Sequence, residues 1–214
     1  MKISIKNLFA TALTLVVLTG SAFASTTYPL AKKVTILSQV KNINKIVVSG
    51  NVEVLLVQAP VESVKVYDSY YAKNALVQQK DAELRISSFE KETLTVAVYV
   101  RDLSSIELGD NSTVKTYGKV NFLSLDVILK DSAKADIDAN IITLNTTVKD
   151  NASLALSGST TDLYAGLSAQ GKMNMDQFTA ENTRVSSIAP AKTKATIAKK
   201  LTLENITVAD ELAK

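Results

Sequence analysis

The sequence predicts an all-β fold, and within that class a parallel β-helix of about 20 residues per coil, with a more irregular β N-terminal part. Three observations carry this. From Leu103 onward a polar turn recurs at a steady beat: Gly109-Asp110-Asn111, Lys130-Asp131-Ser132, Lys149-Asp150-Asn151, Ala169-Gln170-Gly171 and Ala189-Pro190-Ala191. Between their middle residues the steps are 21, 19, 20 and 20, and a period of this length marks a solenoid. Runs of period two flank every beat, and helical periodicity is hard to find after Thr93. Turn signals about every ten residues also fit a sandwich. A sandwich, however, does not require the whole strand-turn-strand unit to recur, whereas coils stacked about 4.8 Å apart do.

The segment Met1 to Ala24 reads as a secretory signal peptide. Lys2 and Lys6 form a basic start, Leu8 to Leu18 is apolar, and Ala22-Phe23-Ala24 offers a small-x-small cleavage site before Ser25. The apolar run is shorter than the roughly 20 residues a membrane span needs, and no later stretch is long and apolar enough to cross a bilayer. The expected mature chain runs from Ser25 to Lys214, long enough for a sizeable single core. It is expected in the periplasm, on the cell surface or released. There is no cysteine, so neither a disulfide framework nor a lipobox anchor is expected.

Residues 25–45 read as a leader, in which Val34 to Val40 can pair as an edge strand. The single domain is expected over 46–214, with N-terminal strands in 46–102 and repeats in 103–208. Ile46 to Val57 reads as strand, Gly50-Asn51 turn, strand. Val61 to Tyr67 is a further strand, and Asp68 to Gln79 has room for one helical turn. Glu83 to Ser87 alternates with Leu84 and Ile86 inward, and Thr93 to Val100 with Leu94, Val96, Val98 and Val100 inward. In the repeats the inward set is Ile106, Leu108, Leu123, Leu125, Val127, Leu129, Leu144, Thr146, Val148, Leu154 and Leu156. It continues through Leu163, Ala165, Leu167, Met173, Met175, Ala195, Ile197, Leu201 and Leu203. Asp and Asn suit the beats because they tolerate left-handed backbone and can bond their own loop.

This pattern resembles the bacterial head GIN domain family of putative auto-transporter adhesins. The resemblance runs from about Lys45 to Leu212. It rests on the strand, Ser-Gly and second strand of Ile46 to Val54, and on Val96-Ala97-Val98-Tyr99-Val100 through Leu103-Ser104-Ser105-Ile106. Leu154-Ala155-Leu156-Ser157-Gly158-Ser159, Ser168 to Met175 and Ala180-Glu181-Asn182 extend it. The resemblance implies a right-handed, single-stranded β-helix in a secreted or envelope protein and no settled activity, so it carries no functional residue over. Where many members have Gly-rich Ser-Gly turns, this chain has Asp beats. Those turns should be stiffer, and strained where positive φ is needed.

Composition narrows the chemistry. With no histidine and no cysteine, the usual zinc sites and a Ser-His-Asp triad are excluded. No glycine-rich phosphate loop can be drawn. The formal charge of +3 falls to about +1 once Lys2 and Lys6 are removed. Lysines are scattered and arginines number three (Arg85, Arg101, Arg184), so no nucleic-acid surface is expected. Asp110, Asp131 and Asp150 share one beat, and as a ladder they could hold Ca²⁺. The competing reading, turn geometry with each carboxylate bonded to loop amides, is preferred because no calcium loop is present. Asp126, Asp136 and Asp138 are the carboxylates a glycosidase would need, but Asp136 and Asp138 read as solvated. No catalytic residue, metal or cofactor is therefore expected. Tyr67, Tyr70 and Tyr71 form the best candidate interaction patch, although burial of their rings as an end cap of the solenoid is the preferred reading. The expectation is an exported, non-enzymatic interaction or adhesion-type module with an unknown envelope or extracellular partner, protein or glycan. The alternative is a carbohydrate-binding module or carbohydrate-active enzyme on the same scaffold.

Overall fold

The computed structural model describes residues 34–67 and 75–188. The signal peptide, Tyr70, Tyr71, the Ala189-Pro190-Ala191 beat and the inward positions from Ala195 onward lie outside the described residues. The strands are β1 (Val34–Leu37), β2 (Lys45–Gly50), β3 (Val52–Gln58), β4 (Ser63–Tyr67), β5 (Ala75–Lys80), β6 (Glu83–Ser88) and β7 (Leu94–Val100). They continue with β8 (Ser105–Leu108), β9 (Thr113–Thr116), β10 (Val120–Leu129), β11 (Lys134–Val148), β12 (Ser153–Ser168) and β13 (Lys172–Ile188). The fold is all-β, with no helix among the described residues. The helical turn expected within Asp68 to Gln79 is corrected over its described part. Ala75–Lys80 is a strand, and its alternation of half-buried and exposed residues is that of a sheet edge.

All the described strands belong to one mixed sheet. Among them, antiparallel pairs occur only at β1–β4, β4–β7 and β5–β6, and the other pairs are parallel. Over Lys134 to Asp136 β11 meets β9, and from Ala139 to Val148 it meets β10 on the same edge. The long strands therefore bend, and the sheet curls strongly around its inward side chains.

The sequence beat is a spatial register. Ile106 aligns with Val127, then Thr146, Ala165 and Val185, so each step across the sheet advances the chain by one beat. Val54, Val114, Ala135, Leu154 and Met173 form a second inward row. These rows merge into one continuous core from Val40 to Leu163 and Ala165. Ile137 is fully buried, and burying such a side chain is worth about 1.5–3 kcal/mol. At the far end Val185 is 61% exposed, and Leu167, Met173 and Met175 are only partly buried. β13 has a neighbour on one side only among the described residues.

Sequence order and spatial order differ at the other end. The 83–100 segment, β6 and β7, lies outside β2 and β3, which in turn adjoin β8 and β9. The Gly50-Asn51 turn is therefore not a hairpin. β2 and β3 do not pair with each other, and the chain rounds a corner between two stretches of sheet. Gly50 is required there. It holds φ +81, and a Cβ would lie 2.0 Å from the Ser88 carbonyl oxygen. Gly158 repeats the device with φ +100 and 2.1 Å to the Ala139 carbonyl oxygen. These are the two Ser-Gly positions of the sequence motif, and in both the backbone passes too close to its neighbour for any side chain.

Leu123 is also corrected, since it is 70% exposed. Phe122 and Leu125 are buried, with Leu123 and Ser124 both outward between them. Strict alternation fails because the strand turns a corner at this point. Ile142, the next repeat's counterpart, is outward too. A second corner is closed by a side chain. The Gln58 amide donates to Asn121 O at 2.8 Å and accepts from Asn121 N at 2.9 Å, as a paired backbone would.

Candidate functional site

The Asp beats come first, because one reading of them is an ion site. Asp110, Asp131 and Asp150 hold φ of 56°, 59° and 52°, the left-handed region that Asp tolerates better than most residues. Each carboxylate accepts a backbone N–H from the preceding turn of the stack. Asp110 Oδ2 takes Gly50 N at 2.8 Å, Asp131 Oδ2 takes Asp110 N at 3.0 Å, and Asp150 Oδ2 takes Asp131 N at 3.1 Å. The turns also close on themselves through Ser112 N to Gly109 O, Ala133 N to Lys130 O and Ala152 N to Lys149 O. The fourth turn lacks the Asp and uses Ser168, whose Oγ accepts Gly171 N at 3.2 Å. The ladder is thus accounted for by amide capping. Among the described residues, no group of three or more carboxylates is placed to hold a metal ion.

The three candidate acids do not converge. Asp126 lies in the stretch where β10 meets β8 and β11, and accepts Asn145 Nδ2 at 2.6 Å. Asp136 lies where β11 meets β9 and β12. Asp138 faces Lys119 at 3.2 Å. These three form no opposed acid pair across a groove, which is what glycoside cleavage needs.

The tyrosines give a different result. Tyr67 ends β4, half-buried, aligned with Val34 on one side and Thr95 on the other. Its expected companions Tyr70 and Tyr71 are outside the described residues, and the register brings in others. Tyr99 aligns with Val57. Tyr117 donates its N–H to Leu56 O at 2.7 Å, which places it beside Val57 on the far side. Tyr99, Val57 and Tyr117 therefore form one outward row across β7, β3 and the end of β9. The neighbouring outward row is Ile36, Lys65, Ala97, Leu55 and Lys115. The result is an outward apolar and aromatic face interrupted by Lys65 and ending at Lys115. Tyr117 is 75% exposed and Ile36 60% exposed. Lys65 Nζ lies 4.8 Å from the Tyr99 ring centroid and donates to its hydroxyl at 3.4 Å. Lys115 pairs with Glu53 at 3.3 Å. A face of this kind can stack on planar or ring-shaped groups and offer ammonium donors beside them.

Sequence reasoning missed Tyr99 and Tyr117. The phase of Thr93 to Val100 does contain the signal for Tyr99, because inward Val98 and Val100 send it outward. No local pattern brings Tyr117 beside it.

Comparison with known proteins agrees with the geometry at the level of fold. Residues 42–207 match the model of the family described as putative auto-transporter adhesin, head GIN domain. A putative adhesin from Bacteroides fragilis is similar in structure, with a TM-score of 0.60 at 18% identity, covering 73% of this chain and 77% of that one. A protein of Parabacteroides distasonis described as a putative lipid binding protein has a TM-score of 0.57 at 9% identity, with coverage of 72% and 78%. No curated protein matches the chain.

Proposed function

Since the chain belongs to the head GIN domain family of putative auto-transporter adhesins, we propose that it is an exported, non-enzymatic adhesion-type module. The observation that carries this reading is the outward face of Tyr67, Tyr99, Tyr117, Leu55 and Val57, set on strands whose inward sides are locked in the core. Enzymes need convergent groups in a shaped site, whereas adhesion needs a stiff surface. On this reading the curled sheet continues as a right-handed, single-stranded β-helix in one domain over 46–214. The in-register parallel rows and the undivided core support that extension. The segment before Ser25 acts as a signal peptide, and the partner lies in the envelope or outside the cell.

The test uses the exported chain. Mass spectrometry of the secreted or periplasmic product is expected to find Ser25 as its first residue. Labelled mature protein is expected to bind intact cells or envelope material saturably, and Tyr117→Ala to weaken that binding with no change in melting temperature. Failure of the mature chain to bind any envelope material would contradict the adhesion-type role.

A further inference from the structure

We propose that the outward row Tyr99–Val57–Tyr117 is a subsite for an extended β-linked glycan chain bearing carboxylates, an assignment that rests on the adhesion-type reading above and gives it a ligand class. Spacing is the first argument. Tyr99 and Tyr117 stand two strand steps apart, about 10 Å. That is close to the advance of two sugar rings along an extended β-1,4-linked chain, so alternate rings meet the two tyrosines. The ring between them passes over Val57, a short, half-buried side chain that leaves clearance.

Shape is the second argument. The row lies on the outward side of the sheet, with Tyr117 75% exposed, whereas small ligands bind in concave sites that bury most of their surface. A polymer gains instead by touching several modest contacts at once. Charge is the third. Lys65 has its ammonium at Tyr99, its only side-chain partner among the described residues. It is placed to meet a carboxylate on the ring that stacks at Tyr99. Lys115 and Lys119 flank the row at its other end, each already opposed by one acid, Glu53 and Asp138. A chain with carboxylates along this row therefore meets the Lys65 ammonium at the Tyr99 end and, at the Tyr117 end, Asp138 already opposed by Lys119, while Asp136 lies one row away, aligned with Lys115.

Calorimetric titration of the mature chain with β-1,4-linked mannuronate hexamer, the dimer, and neutral cellohexaose tests this. The hexamer is expected to bind, with the dimer and cellohexaose each at least about tenfold weaker. Tyr117→Ala should cost about tenfold in hexamer affinity without moving the thermal midpoint. Lys65→Gln should remove most of the preference for mannuronate over cellohexaose. Phe89→Ala, an equally exposed aromatic away from the row, should change nothing. No hexamer binding at millimolar concentration, or equal binding by wild type and Tyr117→Ala, overturns the proposal. Envelope binding that persists while hexamer binding is absent sinks the glycan site alone and leaves the adhesion-type reading standing.

Discussion

The Asp131 carboxylate accepts the backbone N–H of Asp110 at 3.0 Å, one repeat away, while both residues hold left-handed backbone. One residue type thus does two things at each of the three Asp beats. It tolerates the positive φ that closes the turn, and its side chain ties that turn to the one before it.

Asp131→Ala removes both. It leaves the Asp110 amide without its acceptor and places a β-carbon without local compensation at φ 59°. The expected loss is about 2 kcal/mol in urea unfolding, since hydrogen bonds to charged groups are worth about 1.5–3 kcal/mol. Asp131→Asn keeps an acceptor and the left-handed tolerance, and should lose less than half as much. Equal losses for the two would mean that the side-chain bond contributes nothing.

Gly158→Ala should be among the most damaging single changes in the chain. The added carbon meets the Ala139 carbonyl oxygen at 2.1 Å, at φ +100. Left-handed strain and overpacking each cost about 1–2 kcal/mol, and here they act together. Thermal unfolding is expected to show a loss of about 3 kcal/mol from the two combined. Gly118→Ala, which meets nothing within 4 Å, should show only the strain of its φ.

Neighbouring residues on one strand should behave in opposite ways. Ile137 is fully buried, and Asp138 is part-exposed beside Lys119. Ile137→Asp buries an unpaired carboxylate and should cost several kcal/mol, about 4 or more. Asp138→Ala should cost about 0.5–1 kcal/mol. Hydrogen exchange is expected to show the first variant opening β10 to β12 before the ends, because each repeat touches only its neighbours.

The cluster of Lys45, Glu83, Arg85 and Glu107 sets a pH dependence. Burial alone would raise the Glu83 carboxyl, but the hydrogen bonds and charges of Lys45 and Arg85 outweigh it and lower its pKa from 4.5. Hydrogen bonding to Glu83, followed by the Glu83 charge and Glu107, raises Lys45 from 10.5 against some burial cost. A lowered carboxylate contributes stability above its unfolded pKa and loses it as pH falls through the folded value. A raised lysine contributes below its unfolded pKa and loses it as pH rises through the folded value. Wild type should therefore exceed Glu83→Gln in urea midpoint at neutral pH. That gap should shrink as pH drops below 4.5 and shrink with added salt. A gap that widens in acid would mean the pair has the wrong sign.

The repeat and most of its inward residues were legible because they are local. Alternation over a few residues suffices to send Leu125, Val127 and Leu129 inward. The Asp beats were legible for the same reason, since turn chemistry is written into the residues that make the turn. Leu123 was not, because a corner breaks the alternation without any Gly or Pro to announce it. The placement of β6 and β7 outside β2 and β3 was not legible either. Pairing partners far apart along the chain, such as Lys45 and Glu83, leave no trace in a local pattern. The tyrosine row fails on the same ground, because Tyr99 and Tyr117 come together only through Val57, a residue from a third strand.

One distance decides whether the beat is a stack. Ser105, Asp126, Asn145, Tyr164 and Arg184 form a single outward row of four strand steps. The chain has no cysteine, so nitroxide labels can be placed on Ser105→Cys and Arg184→Cys alone. Double electron-electron resonance on that double variant should give one distance distribution centred at about 20 Å, although the two sites lie four beats apart along the chain. A distribution centred at twice that distance, or one with no defined centre, would contradict the in-register stack on which the solenoid reading depends.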